Sequence, residues 1–254
     1  MNLEKYRQYS RIARGMEDAD LVLKDARIVN VFTEEIIRGD IAIQDGIIAG
    51  IGSFHGKEER NLAGKYVCPG FIDSHLHLES TLVTPAELVT VASRHGTTTF
   101  IVDPHESANV SGLKGIDYIL DQTENVKANV YVMMPSCVPA TVIDDNGCTL
   151  TAEDMAPYLH NSRILGLGEV MDSISVVQGD KAMHDKLELF EGRIRDGHAP
   201  FLEEGDLQAY AMAGIATDHE CSFFDYAMRE RRNGINVLIR EGSAARNLEA
   251  LVGG

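Results

Sequence analysis

The chain has 254 residues, a length that one large α/β domain can occupy, and 44% of them are hydrophobic, enough for a substantial core. Its formal net charge of −16 argues against nucleic acid or an anionic membrane as a partner, because both would repel it. No signal peptide and no apolar run of membrane-spanning length is present, so we expect a soluble, cytoplasmic protein. No Cys-x-x-Cys pair occurs, and we expect reduced thiols that are buried like small hydrophobic residues at Cys68, Cys137, Cys148 and Cys221.

The first quarter of the chain predicts a helix followed by a small β module. Residues 3–16 have the pattern of a polar amphipathic helix, and short alternating strands follow from Ala19. The strands are expected at 20–23, 27–31, 39–43 and 47–52, with a hairpin turn at Asp45-Gly46. Such a module is too thin to bury much surface alone. We therefore assign residues 1–66 to an N-terminal helix and a partial β-sandwich module.

After Pro69 the sequence alternates between strand and helix patterns. Seven strands are expected, at 71–73, 97–103, 129–134, 164–168, 193–197, 214–217 and 235–240. Their starts are about 20–35 residues apart, the span of a βα unit in a parallel barrel. Thr84 and Thr151 are placed to cap helices, the first in a capping box with Glu87, and a last helix is expected at 243–251.

The number of strands predicts the fold of this larger region. A closed (β/α)8 barrel needs eight parallel strands, and only seven are expected in residues 67–254. The prediction is an α/β fold, an incomplete TIM-like barrel that is cut off before its last strand. A doubly wound open sheet is the alternative, but no Gly-x-Gly-x-x-Gly opens a helix, which disfavours a Rossmann cofactor site.

Two histidines end the first strand of this region. Residues two apart in a strand point to the same side, so His75 and His77 can bind one metal ion while Leu76 packs into the wall. Neutral imidazoles suit Zn, Fe, Mn or Ni ions. His-x-His alone is common and unspecific, but the buried strand after Pro69-Gly70 and further His and Glu residues downstream favour a metal site.

Polar residues also follow the other strands, at the carboxyl ends where a barrel carries its active site. They are Asp103-Pro104-His105-Glu106, Gly168-Glu169, Asp196-Gly197-His198 and Thr217-Asp218-His219-Glu220. A lone strand-end histidine is more often a hydrogen-bonding residue than a ligand, but five groups at matched positions favour two divalent ions bridged by a carboxylate. Glu79 and Glu220 could instead orient ligands, and His105 and Glu106 have a functional location without a defined role. No site role is expected for His55, His95, His160 and His184.

Taken together, these motifs resemble the amidohydrolase superfamily and, within it, the adenine deaminases. The His-x-His motif marks only the superfamily, whereas Asp-Pro-His-Glu at 103–106, Pro-Ser-Cys at 135–137 and Thr-Asp-His-Glu at 217–220 are much narrower. The matching stretches run from Pro69 to Ala244. The resemblance implies hydrolytic deamination of adenine to hypoxanthine and ammonia, a step of purine salvage and adenine catabolism.

The same resemblance implies a binuclear centre of Mn or Fe, with Zn as a further choice, that activates the attacking hydroxide. His75 and His77 would bind one ion, His198 and His219 the other, and Glu169 would bridge them. In relatives an Asp from strand eight moves the protons, and in this chain Glu106 or Glu220 could contribute as the catalytic carboxylate. The expected partner is a small purine base, with neither nucleic acid nor membrane, and a homo-oligomer or a complementing C-terminal segment is compatible with the sequence.

One feature of the family is missing from the sequence. Relatives supply a metal-binding Asp from strand eight, so the chain is expected to be the N-terminal portion of an adenine deaminase with little activity alone. Two alternatives stay open: another amidohydrolase that acts on a cyclic amide or imide, and a non-catalytic fragment or subunit that needs another chain. Ammonia release from adenine would favour an adenine deaminase, and ring opening of a dihydropyrimidine would favour the cyclic-amide hydrolase. Gel filtration with metal analysis separates the second.

Overall fold

The computed structural model describes residues 1–141 and 143–252, and the chain divides into two compact units, Met1–Pro69 and Gly70–Gly254. Within the described residues, no helix combines the length and the apolar character needed to cross a bilayer. Each unit has its own sheet and its own hydrophobic clusters.

The first unit is a helix with a five-stranded sheet. Its elements are α1 (Leu3–Ala13), β1 (Ala19–Asn30), β2 (Glu35–Gln44), β3 (Ile47–Gly52), β4 (Gly56–Asn61) and β5 (Tyr66–Val67). The sheet order is β3-β2-β1-β4, and β5 also pairs with β1. The predicted hairpin is present, because Asp45 and Gly46 both have positive φ, as a tight two-residue turn requires.

Three local predictions for this unit were wrong. The strands expected at 20–23 and 27–31 are one strand, β1, whose pairing shifts between Leu23 and Ala26 around Asp25, which has a φ of 52°. Such a bulge interrupts the alternation of side chains without ending the strand. The strand β4 was missed because its residues are almost all polar, and the first helix ends at Ala13 rather than at residue 16.

The second unit contains a sheet of seven parallel strands in chain order. They are β6 (Phe71–Leu76), β7 (Thr97–Val102), β8 (Asn129–Met134), β9 (Ile164–Val170), β10 (Ile194–Gly197), β11 (Thr217–Asp218) and β12 (Asn236–Val237). This confirms the predicted incomplete TIM-like barrel of seven strands. The last two strands are shorter than expected, because β12 pairs only with β11 and only through two residue pairs.

Helices connect these strands, so all the carboxyl ends of the strands lie at the same edge of the sheet. The helices are α2 (Pro85–Ser93), α3 (His105–Ser111), α4 (Leu113–Gln122), α5 (Ala152–Met155), α6 (Ser173–Gln178), α7 (Lys181–Leu189), α8 (Glu204–Met212), α9 (Phe224–Arg232) and α10 (Leu248–Val252). Fully buried Phe100, Phe190 and Tyr210 are among the largest side chains of the core between strands and helices. The last helix is shorter than predicted, since Glu241 and Arg246 pair as an isolated bridge before it begins.

The cysteines only partly follow the prediction. Cys137 and Cys221 are buried and Cys148 is partly buried, but Cys68 is exposed. Cys68 follows the two-residue strand β5 directly and precedes Pro69, so it lies on a connection rather than in a packed layer. The expectation of a buried thiol was therefore wrong at this position.

The two predicted helix caps differ in the structure, and this difference can be tested. The Thr151 hydroxyl accepts a hydrogen bond from the Asp154 N–H and the Asp154 carboxylate accepts one from the Thr151 N–H, a complete capping box. The Thr84 hydroxyl makes no cap, because the Glu87 N–H donates to the Thr84 carbonyl instead. We expect Thr151→Ala to lower the free energy of unfolding by about 1 kcal/mol. Thr84→Ala is the matched control, and an equal loss in both variants in urea unfolding would contradict this reading.

Candidate metal centre

The two histidines of the His-x-His motif face each other at the carboxyl end of β6. Their Nε2 atoms are 3.2 Å apart. The His77 Nδ1 lies 2.8 Å from the Asp103 carbonyl oxygen, so a proton on Nδ1 would be donated there and would leave Nε2 with a free lone pair. Two imidazole nitrogens with lone pairs that converge in this way have the arrangement of two ligands of one ion.

Glu169 is the centre of the cluster. It lies in β9 and is only 1% exposed. Its Oε1 is 2.8 Å from His75 Nε2, 3.0 Å from His77 Nε2 and 3.4 Å from His219 Nε2, while its Oε2 is 3.0 Å from His198 Nδ1. The structure thus brings together all five residues that the sequence pointed to as ligands, with four imidazoles around one carboxylate.

The peptide groups of Glu169 are held on both sides. Its N–H donates to the Asp103 Oδ2 at 2.8 Å, and its carbonyl accepts from the Ser136 hydroxyl at 2.6 Å. The buried Lys186 ammonium, from α7, in turn donates to the Ser136 carbonyl at 2.8 Å. Asp103 can approach so closely because residue 168 is glycine: a Cβ there would lie 2.1 Å from the Asp103 Oδ2. These contacts restrict where the Glu169 carboxylate can point.

Asp196 is a site residue that the sequence analysis left without a role. It lies at the end of β10 and is 4% exposed, with its Oδ2 3.1 Å from His75 Nδ1 and 3.4 Å from His219 Nδ1. The Thr217 hydroxyl donates to its other oxygen. Its only signal in the sequence was its place in Asp196-Gly197-His198. Asp103, Ser136 and Lys186 were missed as well; the first two lie in motifs quoted for the resemblance, and Lys186 has no sequence signal.

The two carboxylates expected to handle protons lie in different surroundings. The Glu220 Oε1 is 3.9 Å from His198 Nδ1, and both Glu220 oxygens accept hydrogen bonds from the Arg240 guanidinium. Glu106 is exposed, accepts from the Ser80 hydroxyl, and has its N–H bound by Glu79. Glu220 is therefore at the edge of the cluster, whereas Glu106 is on the exposed side of α3.

The histidines expected to have no role lie apart from these contacts. His184 Nε2 is 2.9 Å from the Val176 carbonyl, and exposed His55 lies 3.4 Å from Glu59. His95 and His160 are exposed. His105, by contrast, lies against the cluster, with its ring centroid 4.6 Å from that of His77.

Buried carboxylates control the protonation of the histidines. Burial alone lowers the pKa of His75, but the nearby Asp196 and Glu169 carboxylates outweigh burial and raise that pKa to about 9. Burial also lowers the pKa of His77, but the nearby Glu169 carboxylate outweighs burial and raises that pKa to about 9. The pKa of His219 is about 9 for the same reason, with Asp196 as the first partner. Burial raises the pKa of Glu169 itself, but its histidine neighbours lower it overall.

The donor set fits a metal ion better than it fits a hydrogen-bond network. Glu169 Oε1 and His219 Nδ1 are buried and have no partner of hydrogen-bond geometry among the described residues, although ligand atoms surround them. Three groups of ligand atoms converge here: His75-His77-Glu169, Glu169-His198-His219 and His75-Asp196-His219. Imidazole nitrogens and carboxylate oxygens together are ligands of Mn, Fe and Zn. These residues are therefore candidate ligands of divalent ions.

Metal uptake is expected to rise with pH. The raised pKa values mean that His75, His77 and His219 contribute stability to the metal-free protein that is fully present below about pH 6.5 and is lost as the pH rises through about 9. Ligands must lose these protons to bind metal, so the affinity for Mn²⁺ should increase across the same interval. Titration calorimetry at pH 6.5 and 9 checks this; an affinity that stays constant would contradict it.

Comparison with known proteins agrees with the fold and gives the family. Residues 66–244 match the model of the Amidohydrolase family. The chain is 58% identical over 254 residues to an adenine deaminase of Desulfitobacterium hafniense (strain Y51), covering 100% of this chain and 45% of that protein. It is 49% identical over 244 residues to an adenine deaminase of Clostridium acetobutylicum, covering 95% of this chain and 43% of that protein. The chain thus spans less than half the length of these curated relatives.

Solved structures with low sequence identity share the fold. N-isopropylammelide isopropylaminohydrolase from Burkholderia multivorans superposes with a TM-score of 0.56 at 18% identity, over 89% of this chain and 70% of that one. A 5-methylcytosine deaminase from Klebsiella pneumoniae gives a TM-score of 0.51 at 14% identity, over 85% and 64%. The relative that matches this chain along its whole length at 58% identity is named adenine deaminase. Because the family model matches most of the chain, the chain belongs to the amidohydrolase family.

Proposed function

We propose that this protein catalyses the hydrolytic deamination of adenine to hypoxanthine and ammonia at a centre of two divalent ions. The observation that carries the proposal is the Glu169 carboxylate, whose two oxygens are shared among four imidazoles at 2.8–3.4 Å. The names of the relatives give the substrate, and the net charge of −16 favours a neutral base over an anionic nucleotide.

The distances favour one division of the ligands between the ions. His75 and His77 approach Glu169 Oε1 and would hold one ion, while His198 approaches Oε2 and would hold the other together with His219. Glu169 would bridge them. The ions, Mn or Fe by preference and Zn as a further choice, would lower the pKa of bound water toward about 7 and polarise the substrate.

The chain's own residues orient the ligands and move protons. The Asp103 carbonyl and the Asp196 carboxylate face the Nδ1 atoms of His77 and His75, and protons on both Nδ1 atoms would leave the Nε2 lone pairs free to hold an ion. Addition of water at C6 and loss of ammonia require a proton to move to the ring nitrogen and then to the leaving amine.

Glu220 is our first candidate for this proton transfer. Its carboxylate lies at the edge of the cluster, and both of its oxygens accept hydrogen bonds from the Arg240 guanidinium, which holds the carboxylate in place beside His198. Glu106 is the second candidate. It is exposed, it accepts a hydrogen bond from the Ser80 hydroxyl, and it lies in the first turn of α3. A substrate bound at the cluster would therefore have to extend across the start of α3 to contact it.

The test is a comparison of substrates with the Mn²⁺-loaded chain. Incubation with adenine should give equal amounts of ammonia and hypoxanthine, detected by an enzymatic ammonia assay and chromatography. A dihydropyrimidine should remain intact. Ring opening of the dihydropyrimidine without ammonia release from adenine would favour a cyclic-amide hydrolase, and a metal-free aggregate in gel filtration would favour a non-catalytic fragment.

A further inference from the structure

The Asp103-Pro104-His105-Glu106 motif is not explained by a two-ion centre. Asp103 follows β7 directly, and His105 is the first residue of α3. We propose that Asp103 and His105, together with Glu169, form an additional binding position for a divalent cation. The two-ion centre proposed above does not use Asp103 or His105 as ligands, but it shares Glu169, so this inference rests in part on the proposed function.

Three buried atoms that point to one place carry the proposal. The Asp103 Oδ1, the His105 Nδ1 and the Glu169 Oε1 are all buried, and none has a hydrogen-bond partner among the described residues. Asp103 and Glu169 are each only 1% exposed. Buried polar atoms are nearly always paired, and the His75–His77 ion would account only for Glu169 Oε1, so the neighbouring Asp103 Oδ1 and His105 Nδ1 indicate a further missing partner.

The distances between these atoms suit a shared ion. The His105 Nδ1 is 3.6 Å from the Asp103 Oδ1 and 3.9 Å from the Glu169 Oε1, and all three atoms lie within 4.8 Å of one another. These separations are too long for hydrogen bonds. Two ligand atoms that are each about 2.1 Å from an ion are about 3.0–3.5 Å apart, so the two distances from the His105 Nδ1 would need to shorten by only a few tenths of an ångström.

The surrounding contacts hold the side chains in place for this role. The Asp103 Oδ2 accepts the Glu169 N–H at 2.8 Å, which fixes the direction of Oδ1. The His105 ring packs edge-on against the His77 ring. His105 could alternatively be a ligand of the ion held by His75 and His77. However, His75 and His77 group with Glu169, whereas His105 groups with Asp103 and Glu169.

The local charge also favours a cation. Asp103 and Glu169 are neighbouring buried carboxylates, and their ion-pair contacts among the described residues are to histidines only, with no Lys or Arg. A divalent cation would neutralise these two carboxylates when the surrounding histidines are neutral. Two carboxylate oxygens and one imidazole nitrogen are a donor set for Mn²⁺, Fe²⁺ or Zn²⁺, with the remaining positions open to water.

The test counts bound ions. The metal-depleted chain is dialysed against saturating Mn²⁺, and bound Mn is measured by elemental analysis in wild type, His105→Ala, His75→Ala and the exposed control His160→Ala. We expect three ions in wild type and in His160→Ala, and two in His105→Ala. Anomalous diffraction at the Mn edge should show that His105→Ala loses the peak between Asp103, His105 and Glu169, whereas His75→Ala loses a different one.

A second variant guards against misfolding. Asp103→Asn keeps an oxygen for the Glu169 N–H but replaces the free oxygen with an amide group, and it should also bind one ion fewer while its unfolding temperature without metal stays close to wild type. No more than two ions in wild type, or an unchanged count in His105→Ala, would overturn the additional position. An unchanged count in His75→Ala would instead contradict the proposed two-ion centre.

Discussion

Replacement of Glu169 by glutamine is expected to release most of the bound metal and to lower ammonia production from adenine by more than 100-fold. Among the residues that the structure describes, Glu169 is the one side chain that contacts His75, His77, His198 and His219 together, and an amide offers one neutral oxygen in place of two charged ones. Loss of a residue that only orients a ligand reduces metal affinity by about 10–100-fold, and loss of a shared ligand should reduce it further.

Two variants serve as comparison for this result. His75→Ala should also lose metal, because its Nε2 is 2.8 Å from Glu169 Oε1. His184→Ala should keep its metal, because the His184 ring contacts the Val176 carbonyl of α6 and not the cluster. Bound Mn in each purified variant is measured by elemental analysis. Equal metal content in Glu169→Gln, His75→Ala and His184→Ala would show that the ligand assignment is wrong.

Gly168→Ala is expected to weaken both the fold and the metal centre. The new Cβ would lie 2.1 Å from the Asp103 Oδ2, a distance that Asp103 cannot relieve easily because it is 1% exposed. The displaced carboxylate would lose its hydrogen bond to the Glu169 N–H, which holds the central ligand. We expect a loss of about 1–3 kcal/mol in the free energy of unfolding from overpacking and a decrease of about 10–100-fold in Mn²⁺ affinity.

Gly205→Ala is the matched control for this substitution. Gly205 lies in α8, and a Cβ there has no heavy atom within 4 Å. Gly205 is the second residue of α8, where alanine should be neutral or stabilising by up to about 1 kcal/mol. Urea unfolding and Mn²⁺ titration of both variants separate the outcomes. A Gly168→Ala protein that binds Mn²⁺ as tightly as Gly205→Ala would contradict the role given to the Asp103 contact.

The sequence predicts the second unit well because parallel strands there leave a simple signal. The buried strands are short apolar runs whose polar side chains follow at one end, as in β9 with Glu169. In β6, His75 follows an apolar run in the same way, but Phe71 and Ile72 are exposed, so the expectation of a buried strand there was wrong. The order of strands and the gathering of five site residues follow from that rule alone. Short strands were the exception: β11 and β12 have two residues each, and their length depends on pairing that the sequence does not show.

The supporting residues of the site could not be assigned in the same way. Asp103, Asp196 and Lys186 act through partners on other elements: Asp103 on the peptide of Glu169, Asp196 on His75 and His219, and Lys186 on the Ser136 carbonyl. Such contacts depend on the register between neighbouring strands and on how a helix packs, which a pattern of residue types does not contain. In the first unit, polar β4 was hidden for a related reason, since its pairing with β1 is made by the backbone.

Conversion of adenine by the Mn²⁺-loaded wild-type protein, measured side by side with Glu169→Gln, tests the central claim most directly. The proposed function predicts one molecule of hypoxanthine for each molecule of ammonia in wild type, and loss of both products together with the metal in Glu169→Gln. Equal, measurable rates of ammonia release by the two proteins would contradict it, as would a fully metal-loaded wild-type protein that leaves adenine unchanged even when a complementing C-terminal segment is added.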